Sequence, residues 1–247
     1  MKLVLLRHGE SEWNLLNKFT GWTDVALTDN GINEAKFSGE QLLKKNLSIN
    51  TLYTSLLVRA THTADIVSSI IGFDKNDIQY KWRLNERHYG ALQGLNKSET
   101  AAKYGEDKVQ IWRRSYDTPP PLLSEDDDRH PKLNEKFKDI DRDLLPIGES
   151  LKDVIDRLKP FWDQYLSNIK ENQDNHLIVA HSNSLRAIVK ILDKLSDKEI
   201  ISVNIPTGVP LVYTFNNNFN VIDKEYLIDR DKLKEKQEIV ANQGKAK

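Results

Sequence analysis

The sequence predicts an α/β fold: a mostly parallel central sheet flanked by helices on both faces, interrupted by a helical and loop insertion. Three observations carry that expectation. Short, wholly apolar runs read as strands buried on both sides. Helical stripes alternate with them in the order β, α, β, α, the pattern of a parallel sheet with covering helices. Between about residues 85 and 148 both signals fade, and Pro119 to Pro121 and Glu125 to Asp128 mark loops instead.

Leu3 to Leu6 is the first strand, and it stops at Arg7-His8-Gly9. Thr28-Asp-Asn-Gly31 mixes cap and turn residues, after which Ile32, Ala35, Gly39, Leu42 and Leu43 recur at helical spacing, a helix of about four turns. Thr51 to Thr54 is a second short strand. From Leu56 to Ile71 the residues Leu57, Ala60, Ala64, Val67 and Ile71 share one stripe, which Gly72 ends. Beyond the insertion, Glu149 to about Ile169 is helical, with Pro160 marking a kink. His176 to Ala180 is a buried strand ending at His181, and Ser182 to Leu192 is a helix. Leu211 to Phe215 and Val221 to Leu227 are two late strands. The lysine-rich end, 229–247, reads as a solvated helix or a frayed tail.

The 247 residues suit one domain carrying an insertion. A hydrophobic share of 38% supports a real core, and 30% charged residues cover it. The net charge of -1 gives no field that would draw nucleic acid or an anionic membrane, so any basic site must be a local concentration. Cysteine is absent, which excludes disulfides, thiolate metal sites and cysteine nucleophiles. Neither a signal-peptide core nor an apolar run of membrane-spanning length is found, and a cytoplasmic protein is the expectation.

Two strands end in histidine, His8 and His181, and ligands of open α/β sheets sit beyond the carboxyl ends of strands. Arg7 beside His8, and Arg59 off its helix's apolar stripe, can join the two imidazoles in one pocket. Forked guanidinium donors match phosphoryl oxygens, and the same set stabilises charge during phosphoryl transfer. A neutral imidazole is a good phosphoryl acceptor, which makes His8 the candidate nucleophile. The leaving oxygen needs a proton, and Glu86, the one acid in Asn85-Glu-Arg-His-Tyr89, is the candidate general acid. Residues Glu125 to Asp128 lack metal-ligand spacing and read as a solvated loop; taken by themselves, His62, His88, His130 and His176 read as surface or packing residues.

The opening Leu6-Arg-His-Gly-Glu-Ser-Glu-Trp-Asn14 resembles the signature of the histidine phosphatase superfamily. It is joined by Phe19-Thr-Gly-Trp-Thr-Asp24, Ser55, Arg59-Ala60, Glu86-Arg-His-Tyr-Gly90, Leu92-Gln-Gly-Leu-Asn-Lys97, Trp112-Arg-Arg114, Pro119-Pro-Pro121, Glu149-Ser-Leu-Lys152, Asn183-Ser-Leu-Arg186, Ile205-Pro-Thr-Gly208 and Val240-Ala-Asn-Gln-Gly244. This end-to-end combination is similar to the 2,3-bisphosphoglycerate-dependent phosphoglycerate mutases. The resemblance implies interconversion of 3- and 2-phosphoglycerate through phosphorylated His8, primed by 2,3-bisphosphoglycerate, with no metal. By the same resemblance, Arg7, Arg59 and His181 hold the transferring group, Glu86 is the acid/base, and Asn14, Thr20, Gly21 and Asn183 are further substrate contacts. Tyr89, Lys97, Arg113 and Arg114 match residues that hold the substrate's far end. Gly9, Glu10, Ser11, Glu12, Trp13, Arg87, His88 and Ser182 lie within the matching motifs and join the candidate substrate contacts.

Where the family usually has glycine directly after its second histidine, this chain has Ser182, which offers a hydroxyl beside the backbone N–H. The resemblance also implies a homodimer, or a tetramer, and a tail over residues 229–247 that closes as a lid. Competing readings are a phosphatase of the same superfamily, a bisphosphoglycerate synthase, and an inactive phosphoester-binding module. Lys97, Arg113 and Arg114 separate mutase from phosphatase, because a mutase must grip its ligand at the end remote from His8.

Overall fold

In the computed structural model, residues 1–172, 174–243 and 245 are described. The elements run β1 (Lys2–Arg7), α1 (Glu12–Leu15), α2 (Asp29–Lys44), β2 (Thr51–Thr54), α3 (Val58–Ile71), β3 (Gln79–Tyr80), α4 (Lys97–Tyr104), α5 (Glu106–Arg114), α6 (Leu151–Asn172), β4 (His176–Ala180), α7 (Ser182–Leu192), α8 (Glu199–Ser202), β5 (Leu211–Phe215), β6 (Val221–Tyr226) and α9 (Arg230–Asn242). Between α5 and α6 the chain makes only short 3₁₀ turns and loops. The weak periodicity from 85 to 148 thus corresponds to two short helices and irregular backbone.

The six strands form one sheet in the order β3-β2-β4-β1-β5-β6. The first four are mutually parallel, whereas β5 pairs antiparallel with β1 and β6 antiparallel with β5. Alternation along the strands divides the core. Leu3 and Leu5 of β1 and Ile178 of β4 face a layer containing Leu158, Trp162 and Tyr165 of α6 and Leu185 and Ile188 of α7. Val4, Leu6, Leu177 and Val179 face the other way, onto Leu42 of α2 and Ala64 and Val67 of α3. Because both faces are covered, β1 and β4 have no polar face, which is why they read as unbroken apolar runs.

Local chemistry sets the helix limits. Thr28 caps α2 by accepting from Gly31 N through its hydroxyl. Gly72 ends α3 in the left-handed region at φ 72, where a Cβ would add strain. Pro160 lies inside α6 and forfeits one backbone donor there. Several predicted boundaries shift by one to three residues: β1 gains Lys2 and Arg7, α3 starts at Val58, α6 runs from Leu151 to Asn172, and β6 ends at Tyr226. The edge strand β3 and helices α1 and α8 are additions to the sequence reading. Among the described residues no helix is long and apolar enough to cross a membrane.

Candidate active site

The register of the sheet brings the two strand-end histidines together. Arg7 of β1 stands opposite Ala180 of β4, and His8 N donates to Ala180 O at 3.0 Å. His8 and His181 therefore leave adjacent parallel strands side by side, with ring centroids 5.0 Å apart. Both are buried.

Hydrogen bonds fix the tautomer of His8. Nδ1 lies 2.7 Å from Gly9 O, an acceptor only, so Nδ1 carries the proton and donates. Nε2 is left as an acceptor and takes a hydrogen bond from Arg59 Nε at 3.3 Å. Burial first, then Arg59 and Arg7, push the His8 pKa well below 6.5, so the ring is neutral and its lone pair is available at neutral pH. His181 is pushed the same way, by burial, then Arg59 and His8. Its Nε2 is 2.7 Å from Ser55 Oγ, while Nδ1 is buried without a hydrogen-bond partner among the described residues.

Arg59 is held rigidly. Its two terminal nitrogens donate to Thr23 O at 3.0 Å and Gly21 O at 2.9 Å, which leaves Nε for His8. Gly21 adopts φ +56, the left-handed conformation that presents its carbonyl, and a Cβ there would lie 2.0 Å from Gln93 Oε1. Burial lowers the Arg59 pKa to about 10, so it stays protonated at neutral pH. Arg7 donates to Ile205 O at 2.8 Å, and its Nε is buried without a partner among the described residues.

His8, Arg7 and Arg59 line a cavity of about 50 Å³, while His181 sits behind His8 and is not part of the wall. Asn14, Thr20, Gly21, Glu86, Tyr89, Ser182 and Asn183 also line it, and so do Lys97, Arg113 and Arg114, which α4 and α5 carry in from the insertion. Among the described residues, seven cations line the wall (Arg7, Lys18, Arg59, Lys97, Arg113, Arg114 and Arg186) against one carboxylate, Glu86. Mutual repulsion is legible in the pKa directions. Burial, then Arg113 and Arg7, drive Lys97 well below its ordinary value, and burial with Arg114 takes Arg113 to about 10. An anion placed among them would relieve both penalties. Glu86 Oε1 accepts from Arg87 N at 2.7 Å and Asn183 N at 3.1 Å, the latter at the start of α7. Asn183 Nδ2 donates to Tyr89 Oη at 3.2 Å.

Other motif residues stand around the cavity rather than on it. Gly9 is packed so closely on α2 that a Cβ would fall 2.1 Å from Gly31 O. Ser11 caps α1, with Glu12 and Trp13 in that helix, and Glu10 accepts from Thr28 Oγ1 at 2.7 Å. Arg87 donates to Trp112 O and lies 4.6 Å over the Tyr89 ring, and His88 Nδ1 accepts from Gly90 N at 3.1 Å.

Of the remaining wall residues, Lys18 lies outside every motif, whereas Arg186, Val240 and Gln243 fall within the matching motifs but were given no role from sequence. Arg186 had a usable signal, as the lone charge in the run Leu185 to Val189, one turn from the strand-end histidine. It is 1% exposed, donates to Asn183 Oδ1 at 2.8 Å, and burial brings its pKa to about 9. Gln243 Oε1 accepts from Lys97 Nζ at 3.1 Å, placing the end of α9 beside the cation cluster. Gly244, in the same tail motif, and residues 246–247 of the expected lid lie outside the described residues.

The model of the histidine phosphatase superfamily (branch 1) matches residues 3–127 and 121–225. A 2,3-bisphosphoglycerate-dependent phosphoglycerate mutase of Treponema denticola is 54% identical over 247 residues, all of both chains. Its counterpart from Borreliella burgdorferi (strain ZS7) is 52% identical, over all of this chain and 99% of that one. Among solved structures, a mycobacterial glucosyl-3-phosphoglycerate phosphatase complexed with VO3 superposes with a TM-score of 0.68 at 21% identity, over 91% of this chain and 96% of that one. A putative alpha-ribazole-5'-P phosphatase from Escherichia coli reaches 0.66 at 21% identity, over 92% and 94%. At that identity the superpositions speak to fold alone.

Proposed function

The chain belongs to the histidine phosphatase superfamily, and from that premise we propose that it interconverts 3-phosphoglycerate and 2-phosphoglycerate in glycolysis and gluconeogenesis, through a phosphohistidine at His8. The observation that carries this reading is the second cation cluster. Lys97, Arg113 and Arg114 share one cavity with His8, so one ligand can be gripped at both ends. Such a grip is what a mutase needs and a hydrolase does not.

In this reading His8 Nε2, unprotonated and aimed by the Gly9 contact, gives up the Arg59 hydrogen bond and attacks phosphorus in line with the leaving oxygen, while the Arg59 N–H turns to a phosphoryl oxygen. Arg7, Arg59 and His181 Nδ1 stabilise the charge on the transferring group. Glu86 gives its proton to the departing oxygen and takes one from the hydroxyl that next receives the phosphoryl group. Lys97, Arg113 and Arg114 hold the carboxylate or the remote phosphate, with Asn14, Thr20, Gly21, Tyr89, Ser182 and Asn183 completing the contacts. The donor set suits 2,3-bisphosphoglycerate, because among the described residues Arg7 Nε and Arg186 Nε are buried with no partner and the wall carries seven cations. When bound, that molecule supplies the phosphoryl group that primes His8.

The reading extends to a single domain of residues 1–247 with the 85–148 insertion, a homodimer, a cytoplasmic location, and a lid formed by 229–247. Val240 and Gln243 on the cavity wall support the lid. An enolase-coupled assay with and without 2,3-bisphosphoglycerate tests the function. Cofactor-stimulated isomerisation is expected, together with acid-labile, base-stable labelling that His8→Ala abolishes. Isomerisation indifferent to the cofactor, or phosphate release outrunning it, would overturn the reading, and label persisting on the variant would overturn the nucleophile.

A further inference from the structure

One buried ion pair lies outside the cavity yet touches the segment that carries Glu86 at almost every residue. Arg157 of α6 and Glu149, just before that helix, are 8% and 3% exposed. They meet through Arg157 Nε to Glu149 Oε1 at 2.6 Å and a second bond from a terminal nitrogen to Oε2 at 3.1 Å. The guanidinium also reaches backbone carbonyls: one terminal nitrogen donates to Arg83 O at 2.8 Å, and the one that serves Glu149 Oε2 shares its other N–H between Asn85 O at 3.1 Å and Glu86 O at 3.2 Å. Glu149 Oε2 in turn accepts from His88 N at 2.8 Å, and Glu149 N donates to His88 O at 2.9 Å. Trp22 Nε1 closes the set on Glu86 O at 2.6 Å.

A buried ion pair returns little net stability, because desolvating two charges offsets most of their attraction. This one does something that a pair of apolar residues cannot. Residues 82–88 form no strand and only one 3₁₀ turn, so no ladder fixes Glu86. The fan of donors takes the place of a ladder. On the side-chain end, Oε1 is tied to Arg87 N and Asn183 N, while Oε2 accepts no hydrogen bond among the described residues.

We infer that Arg157 and Glu149 are positioning residues that hold the Glu86 backbone so that its free carboxylate oxygen meets the reacting oxygen of the substrate. The inference rests on Glu86 being the acid/base of the proposed reaction. It predicts a loss of rate without a loss of substrate grip, since Lys97, Arg113 and Arg114 reach the cavity on α4 and α5.

Arg157→Met alone would leave Glu149 buried and unpaired, so the double variant Glu149→Met/Arg157→Met carries the test. It should fold, with kcat lowered about tenfold to a hundredfold, the usual penalty for a displacement of about 1 Å at a reacting group, and KM for phosphoglycerate within about twofold. In a Glu86→Gln background the same double replacement should lower the residual kcat less than about twofold, because the group it positions is already gone. Wild-type kcat in the folded double variant, or an equal further drop in the Glu86→Gln background, would overturn the inference. Wild-type kcat in Glu86→Gln alone would instead remove the acid/base reading beneath it. Should the double variant not fold, Arg157→Lys keeps a cation on Glu149 but not the fan. Restored thermal stability with kcat still depressed is expected, and restored kcat would overturn the inference.

Discussion

Acidification should unfold this protein through histidines that are held neutral in the folded state, and His88 allows the size of the effect to be worked out. Burial first, then Arg157 and His130, lower its pKa to about 3, against about 6.5 in an unfolded chain. Between those values the unfolded chain binds a proton that the folded one refuses. The stabilisation is therefore complete at high pH, is lost as pH falls through about 6.5, and levels off below about 3. Integrated from pH 7.5 to 5.0, the loss for this one group is about 2 kcal/mol. His8 and His181 act with the same sign.

His88→Asn puts an amide oxygen near the position of Nδ1, so the bond from Gly90 N can be retained while the titratable ring is removed. The variant loses packing at every pH, about 1 to 2 kcal/mol for the smaller side chain. Its own drop in unfolding free energy between pH 7.5 and 5.0 should nonetheless be about 2 kcal/mol smaller than that of the parent. Urea titrations of both proteins at the two pH values measure this. An identical pH-dependent loss in parent and variant would refute the argument.

Two further substitutions bear on the site. Lys97→Met removes one of the far-end cations; a charged hydrogen bond is worth about 1.5 to 3 kcal/mol, so KM for phosphoglycerate should rise about tenfold to a hundredfold while the fold is retained, and steady-state kinetics with an unchanged KM would contradict the assignment. Gly9→Ala drives a methyl group against Gly31 O, which cannot yield without moving α2; a cost of about 1 to 3 kcal/mol and a fall in kcat from displacing His8 are expected, and a variant with parental melting temperature and rate would show that the close approach is dispensable.

Much of this was legible in the chain because burial on two faces and burial on one leave different marks. β1 and β4 sit mid-sheet under helices on both sides, so their sequences are uninterrupted apolar runs, and the histidines that follow had to emerge at one edge. By contrast, β3 is a two-residue exposed edge, Gln79–Tyr80, held through its backbone, and backbone pairing leaves no trace in side-chain pattern. The antiparallel direction of β5 and β6 was equally hidden, since a strand's sequence does not encode which way its neighbour runs. The Glu149 motif ends at Lys152, so it did not reach the partner Arg157, whose contacts with Arg83, Asn85 and Glu86 O form only when α6 folds against the 82–88 segment. Lys18 carried no signal, as an isolated surface-type lysine has none. Gly9 illustrates the opposite limit: its place in the motif suggested ligand contact, and the close approach to Gly31 gives it a packing requirement of its own.

The position of β1 has a consequence for how the protein is made. Residues 2–7 are synthesised before every other strand of the sheet, yet their hydrogen-bonding neighbours are residues 176–180 on one side and 211–214 on the other, and Met1 O receives Phe215 N. An apolar segment thus waits for most of the chain to be synthesised before its backbone is paired, a long-range closure of the kind that slows folding and exposes nascent chains to aggregation. Chaperone demand during synthesis should fall abruptly once residue 215 is free, and a chain stopped short of β5 would keep one edge of its central strand open.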